Sequence, residues 1–213
     1  MKPKFRWMLP LLLAVSPAFA WGNLPEFLPQ GRYIDEDAAA SHMKAPPGGR
    51  AQMRQAINAA IQKNPRNATA LAHRAYFFLE SGDLARAKRD FDAAMAAAEP
   101  GSGFERNVLW SRGWAEYDLG DYAAALADWQ RTVALHGGKP FWAAYSFALL
   151  YWTAGQQDTA LAWYDAAVLS NPQWGNENGF IARTKYWAPP QRGQMRALFD
   201  AWKGTSRKGS QAS

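Results

Sequence analysis

The chain has 213 residues, 48% of them hydrophobic and 14% aromatic, with no cysteine and a formal charge of +6. Without cysteine it can form no disulfide, no thiolate metal site and no lipid-modified cysteine at a processing site. The positive balance is too mild to point to nucleic acid, and Lys2, Lys4 and Arg6 contribute three of those charges before any acidic residue occurs.

In chain order, the first segment reads "MKPKFRWMLPLLLAVSPAFA". A basic opening, a short apolar run and Ala18-Phe19-Ala20 form the pattern of a secretory signal peptide over residues 1–20. The run is shorter than the roughly 20 residues a membrane-spanning helix needs, and no other segment could span. Export to the periplasm of a Gram-negative bacterium is expected, with secretion as the second choice, and the mature chain would begin at Trp21. Residues 21–50 follow as an arm rich in proline and glycine, with Pro25, Pro29, Pro46 and Pro47. Its Trp21, Leu24, Phe27, Leu28 and Tyr33 leave two states open, a free arm or one partly packed on the body.

From residue 51 to 203 an alanine-rich helical pattern repeats. Three glycines, Gly82, Gly120 and Gly155, anchor the alignment. Seven residues before them stand Ala75, Gly113 and Ala148, and five after stand Ala87, Ala125 and Ala160. Nine after come the large aromatics Phe91, Trp129 and Tyr164. Glycine tolerates positive φ and separates one helix from the next. Small residues at fixed places let two antiparallel helices approach, and the aromatic fills the space between them. One such hairpin cannot bury its own apolar face, so neighbours must stack. Pro100 and Pro172 close second helices.

These residues resemble tetratricopeptide repeats, with "WSRGWAEYDLGDYAAALADWQRTVAL" at 110–135 as the best match and residues 68–172 covered. The resemblance implies an all-α fold, a right-handed superhelical stack of helix hairpins with about three full repeats. "AQMRQAINAAIQKNP" fits the second helix of a partial unit, because Ala60 and Pro65 fall in register. Residues 176–203 should supply a closing helix pair. Met195, Leu198, Phe199 and Trp202 make its last helix amphipathic, able to cap its own stack or to dock on another copy. Residues 204–213 read as a flexible basic tail.

Arg74 and Arg112 lie eight residues before their glycines, and Asp90 and Asp128 lie eight after. In a hairpin these places face each other, so each repeat should hold a structural Arg–Asp pair. The third unit replaces both members together, with Phe147 and Trp163. His42, His73 and His136 show no paired metal-ligand spacing, and Asp35-Glu36-Asp37 with His42 reads as a solvated turn or cap before it reads as a metal cluster. No phosphate loop or nucleophile elbow occurs. No enzyme activity, cofactor or metal is therefore expected.

In tetratricopeptide proteins the first helices line a concave surface that binds extended peptides or partner helices. By offset, the inward places here are Thr69, Ala72, Tyr76 and Leu79, then Asn107, Trp110, Trp114 and Tyr117, then Trp142, Tyr145, Leu149 and Trp152. The seven aromatics, Tyr76, Trp110, Trp114, Tyr117, Trp142, Tyr145 and Trp152, are the expected partner-binding set, while Trp129, Trp163 and Tyr164 belong to the core. The family's basic clamp for a terminal carboxylate is missing from these places. The expected function is thus a non-enzymatic adaptor of the cell envelope that holds a protein or peptide by shape and aromatic stacking. The alternative is a carbohydrate binder, for an exopolysaccharide or peptidoglycan, using the same rings. Sugar sites need polar groups beside the rings, and Glu80, Asn107 and Asp118 are the close candidates. Self-association through the ends of an open stack is a further expectation.

Overall fold

The computed structural model describes residues 23–36 and 49–211, with side chains to Thr205 in the last helix. The signal-peptide reading of residues 1–20 falls outside them. The order is α1 (Arg50–Lys63), α2 (Ala68–Glu80), α3 (Leu84–Ala97), α4 (Gly103–Leu119), α5 (Tyr122–His136), α6 (Phe141–Thr153), α7 (Gln157–Ser170), α8 (Glu177–Thr184) and α9 (Pro189–Gln211). A 3-10 turn, Pro172–Gly175, joins α7 to α8. The pairs α2–α3, α4–α5 and α6–α7 are the three hairpins expected from the repeat, and each packs as a unit.

The hairpins turn where the glycines predict. Gly82, Gly120 and Gly155 have φ of 76°, 83° and 83°, the left-handed region that side chains with a Cβ disfavour. Asp83 and Asp121 then cap α3 and α5 by accepting from the Arg86 and Ala124 amides. Between the helices, size is matched by position. Ala75 and Ala148 stand in the hairpins that hold Phe91 and Tyr164, whereas Gly113 lies against the larger Trp129. A methyl group at Gly113 would overlap the Trp129 indole.

Both predicted ion pairs form. Arg74 donates through Nε and Nη2 to Asp90 at 2.5 and 3.0 Å, and Arg112 donates likewise to Asp128 at 2.7 and 2.6 Å. The carboxylates are nearly inaccessible, so the bidentate arginine supplies the charge that burial requires.

In the third hairpin the arm takes over. Residues 23–36 run extended over α6 and α7, with Leu24 and Tyr33 buried. Phe27 rests on the Phe147–Trp163 pair, with ring centroids 5.1 and 5.4 Å away. Trp163 Nε1 donates to the Phe27 carbonyl at 2.6 Å, and the Tyr151 hydroxyl donates to the Pro25 carbonyl at 2.7 Å. Gln156 stands where Asp83 and Asp121 cap their helices, but its amide grips Leu24 instead, accepting from the backbone N–H at 2.7 Å and donating to the carbonyl at 3.1 Å. Near the end of its described stretch the arm makes a short parallel bridge between Asp35 and Pro140.

The closing segment folds back on its own stack. Met195, Leu198 and Phe199 of α9 are fully buried in the same core as α6 and α7, which resolves the open choice for this helix in favour of capping. α9 also continues to Gln211, through most of the residues that the sequence assigns to a tail.

Candidate functional site

The first helices α2, α4 and α6 place the seven selected aromatics along one side of the stack, and the structure divides them. Tyr117 and Trp142 are 6% and 2% exposed and pack as core, which corrects their reading as open groove wall. Tyr117 is held there by a 2.8 Å hydrogen bond between its hydroxyl and Thr153 Oγ1. Tyr76, Trp110, Trp114, Tyr145 and Trp152 are partly exposed. Of the other inward positions, Ala72, Asn107 and Leu149 are buried, and Thr69 is exposed.

Trp110, Trp114, Tyr117 and Trp142 form one connected cluster of rings. Trp110 lies 4.2 Å from Trp142 and 5.6 Å from Trp114 between ring centroids, the latter pair edge to face. Trp114 in turn meets Trp129 at 4.9 Å. Such offset and edge-on arrangements suit the ring quadrupoles and fix each ring by its neighbours. Tyr76 joins the series through a hydrogen bond to Ser111, and burial raises its phenol above the ordinary value. Burial raises the Tyr145 phenol as well.

One further residue of this face is absent from the sequence-derived set. Trp187, in the link between α8 and α9, lies 5.7 Å from Trp114, 5.7 Å from Tyr145 and 6.2 Å from Trp174. Beside it Gln191 donates to Asp118 at 2.7 Å, tying the start of α9 to α4. The closing segment therefore covers the wall of the second and third repeats at Trp114 and Tyr145, while Tyr76, Trp110 and Trp114 keep partial exposure. Trp187 stands outside the repeat register, next to Pro189 and Pro190, so no offset assigns it a place. Only its position just before a double proline, which opens α9 and prevents a preceding helix from running through it, marks it as a link.

The opposite side of the first helices is ionic in the second repeat. Arg112 Nη1 donates to Asp92 of α3 at 2.8 Å, and Lys88 of α3 lies 3.5 Å from Glu116. Glu116 Oε2 is buried without a hydrogen-bond partner among the described residues. Burial is the main cause that pushes the Glu116 carboxyl up to about 7, with the Asp128 carboxylate adding to it and Arg112 and Lys88 opposing.

Among the described residues no group of three or more histidines, cysteines or acids is placed to hold a metal ion. Asp35 and Glu36 anchor the arm: the Asp35 carboxylate accepts from the Lys139 amide at 2.6 Å, and the Glu36 carbonyl lies 3.3 Å from His136 Nε2. His73 is buried in α2, and Asp37 and His42 lie outside the described residues. No described helix is long and apolar enough to cross a membrane.

The comparisons with known proteins agree with this architecture. Residues 111–176 match the tetratricopeptide repeat family. No curated protein matches the chain. Among solved structures, MamA superposes with a TM-score of 0.51 at 18% identity, covering 75% of this chain and 90% of its own. YrrB, described as a TPR protein with an unusual peptide-binding site, superposes with a TM-score of 0.50 at 21% identity, covering 70% of this chain and 74% of its own. The family match over residues 111–176 falls within this chain's stack of helix hairpins, an architecture like that of tetratricopeptide-repeat proteins.

Proposed function

We propose that the protein is a non-enzymatic adaptor of the cell envelope that holds a protein or peptide segment on the inner face of its helix stack. The observation that carries this reading is the partly exposed set Tyr76, Trp110 and Trp114, with the two tryptophans packed on Trp129 and Trp142 and Tyr76 packed on Phe91 and bonded to Ser111. Rigid aromatics with a polar edge give large contact area at little entropic cost, which suits recognition of a segment by shape. The peptide-binding site named for YrrB supports the class of ligand, and the secretory pattern of residues 1–20 supports the compartment.

The test is site-specific photo-cross-linking in cells, with benzoylphenylalanine placed at position 76 or 152 and, as a control, at the exposed Ala123. Discrete adducts to a protein from positions 76 and 152, none from 123, and fractionation of those adducts with the envelope are expected. Equal labelling from all three positions would sink the inner face as the site. Adducts only to polysaccharide would replace the peptide by a glycan.

A further inference from the structure

The repeat makes three surfaces equivalent by position, on the side of the first helices opposite the aromatics. A two-residue step on a helix turns a side chain by about 200°, so Arg74 points away from Tyr76, and Arg112 and Phe147 likewise from Trp114 and Tyr145. In the third repeat this surface is occupied by an extended chain, the arm, whose Phe27 sits on Phe147 and Trp163. In the second it is filled by charges from the preceding helix: Asp92 meets Arg112 Nη1, and Lys88 meets Glu116.

In the first repeat the corresponding surface is an open groove of about 340 Å³ between α1 and α2, lined by Arg54, Asn58, Arg74, Phe77, Phe78 and Arg86 among others. Ala60 stands in register with Ala94, so Asn58 corresponds to Asp92 and Arg54 to Lys88, while Phe78 corresponds to Glu116. Both cations are kept and both carboxylates are missing. Arg74 spends Nε and Nη2 on Asp90, and its Nη1 has no acceptor among the described residues. Arg54 has no ion-pair partner among them either, whereas Arg50 and Arg86 are paired to Glu80 and Asp83.

We propose that this groove binds an extended acidic segment of another protein, with one carboxylate between Arg54 and Arg74 Nη1 and apolar groups against Phe77 and Phe78. The mode is the one the molecule already uses in its third repeat, and the vacant carboxylate position is the one Asp92 fills in its second. The site is separate from the inner aromatic face and does not depend on that face binding anything. The paired carboxylates Asp90, Asp83 and Glu80 lower the net field, so selectivity rests on geometry: a guanidinium fixed in place by Asp90, whose third nitrogen has no acceptor among the described residues, takes an oxygen anion at one point.

The probe is a fluorescein-labelled peptide with the sequence of residues 23–36 carrying Phe27→Glu, and the unsubstituted peptide is the control. Against the whole chain, the acidic peptide is expected to give saturable anisotropy at least about ten-fold tighter than the control, weakening as salt rises. Asn58→Asp supplies the missing carboxylate within the chain; it should weaken the peptide by about ten-fold and raise Tm by about 1–3 °C. Arg54→Ala, at an exposed position, should weaken binding by a similar factor without lowering Tm. Absence of saturable binding up to about 1 mM, or binding indifferent to both substitutions, overturns the proposal, and an unchanged Tm in Asn58→Asp overturns the vacancy at Arg74. Photo-adducts at positions 76 and 152 would be untouched by any of these results.

Discussion

At the scale of single residues, Glu116 controls a response to pH. It is 3% exposed, has one oxygen without a partner among the described residues, and shares its site with Asp128. Burial favours its protonated form, so the folded chain holds a proton that the unfolded chain releases between the ordinary value of 4.5 and about 7. The folded state binds more protons in that window, and stability therefore falls as pH rises through it. Glu116→Gln removes the ionisation while keeping size and hydrogen-bonding groups. Urea unfolding at pH 5 and pH 8 should show the native chain losing on the order of 2 kcal/mol between the two, and the variant losing markedly less. Equal losses in both chains would assign the pH dependence to other groups.

At the scale of elements, the third repeat departs from the first two in order to hold the arm. Its ion pair becomes Phe147 and Trp163, its capping aspartate becomes Gln156, and Tyr151 replaces Phe78 and Glu116; each replacement touches residues 24–27. Phe27→Ala would leave the Phe147–Trp163 pair facing water where the first two repeats have a charged pair. A loss of about 2 kcal/mol in unfolding free energy is expected, since the ring is only partly buried. A loss confined to a few tenths would mean that the backbone bonds of the arm hold it without the ring. The joint replacement of Arg and Asp was visible in the sequence as contact between the two positions, because periodic offsets report which residues of a hairpin face each other. That the arm covers them was not visible: the bond from Trp163 to Phe27 joins residues 136 apart, and neither arm nor closing link has a period. Trp187 is hidden for the same reason, and the burial of Tyr117 and Trp142 follows from ring contacts that offsets along one helix cannot report.

At the scale of the whole molecule, the stack is closed unevenly. Toward the C-terminus, α6 buries nine residues and is covered by the arm, by Trp187 and by α9. At the other end, among the described residues, α1 buries only Ile57 and packs mainly on α2. A linear stack gains stability from each interface between neighbours, so its least covered end opens first. Native-state hydrogen exchange should find the amides of α1 opening at least ten times more often than those of α6, with the α2–α3 hairpin between them. If both ends exchange together, the arm and α9 add nothing to the local stability of the third repeat and the stack opens as one unit. The same measurement bears on the arginine groove, which is half built from α1. A segment that bridges Arg54 of α1 and Arg74 of α2 can bind only the closed end, so saturating acidic peptide should slow exchange in α1 and leave α6 unchanged. The weak end of the stack would then be ordered by the ligand it receives, whereas the strong end carries its own extended segment.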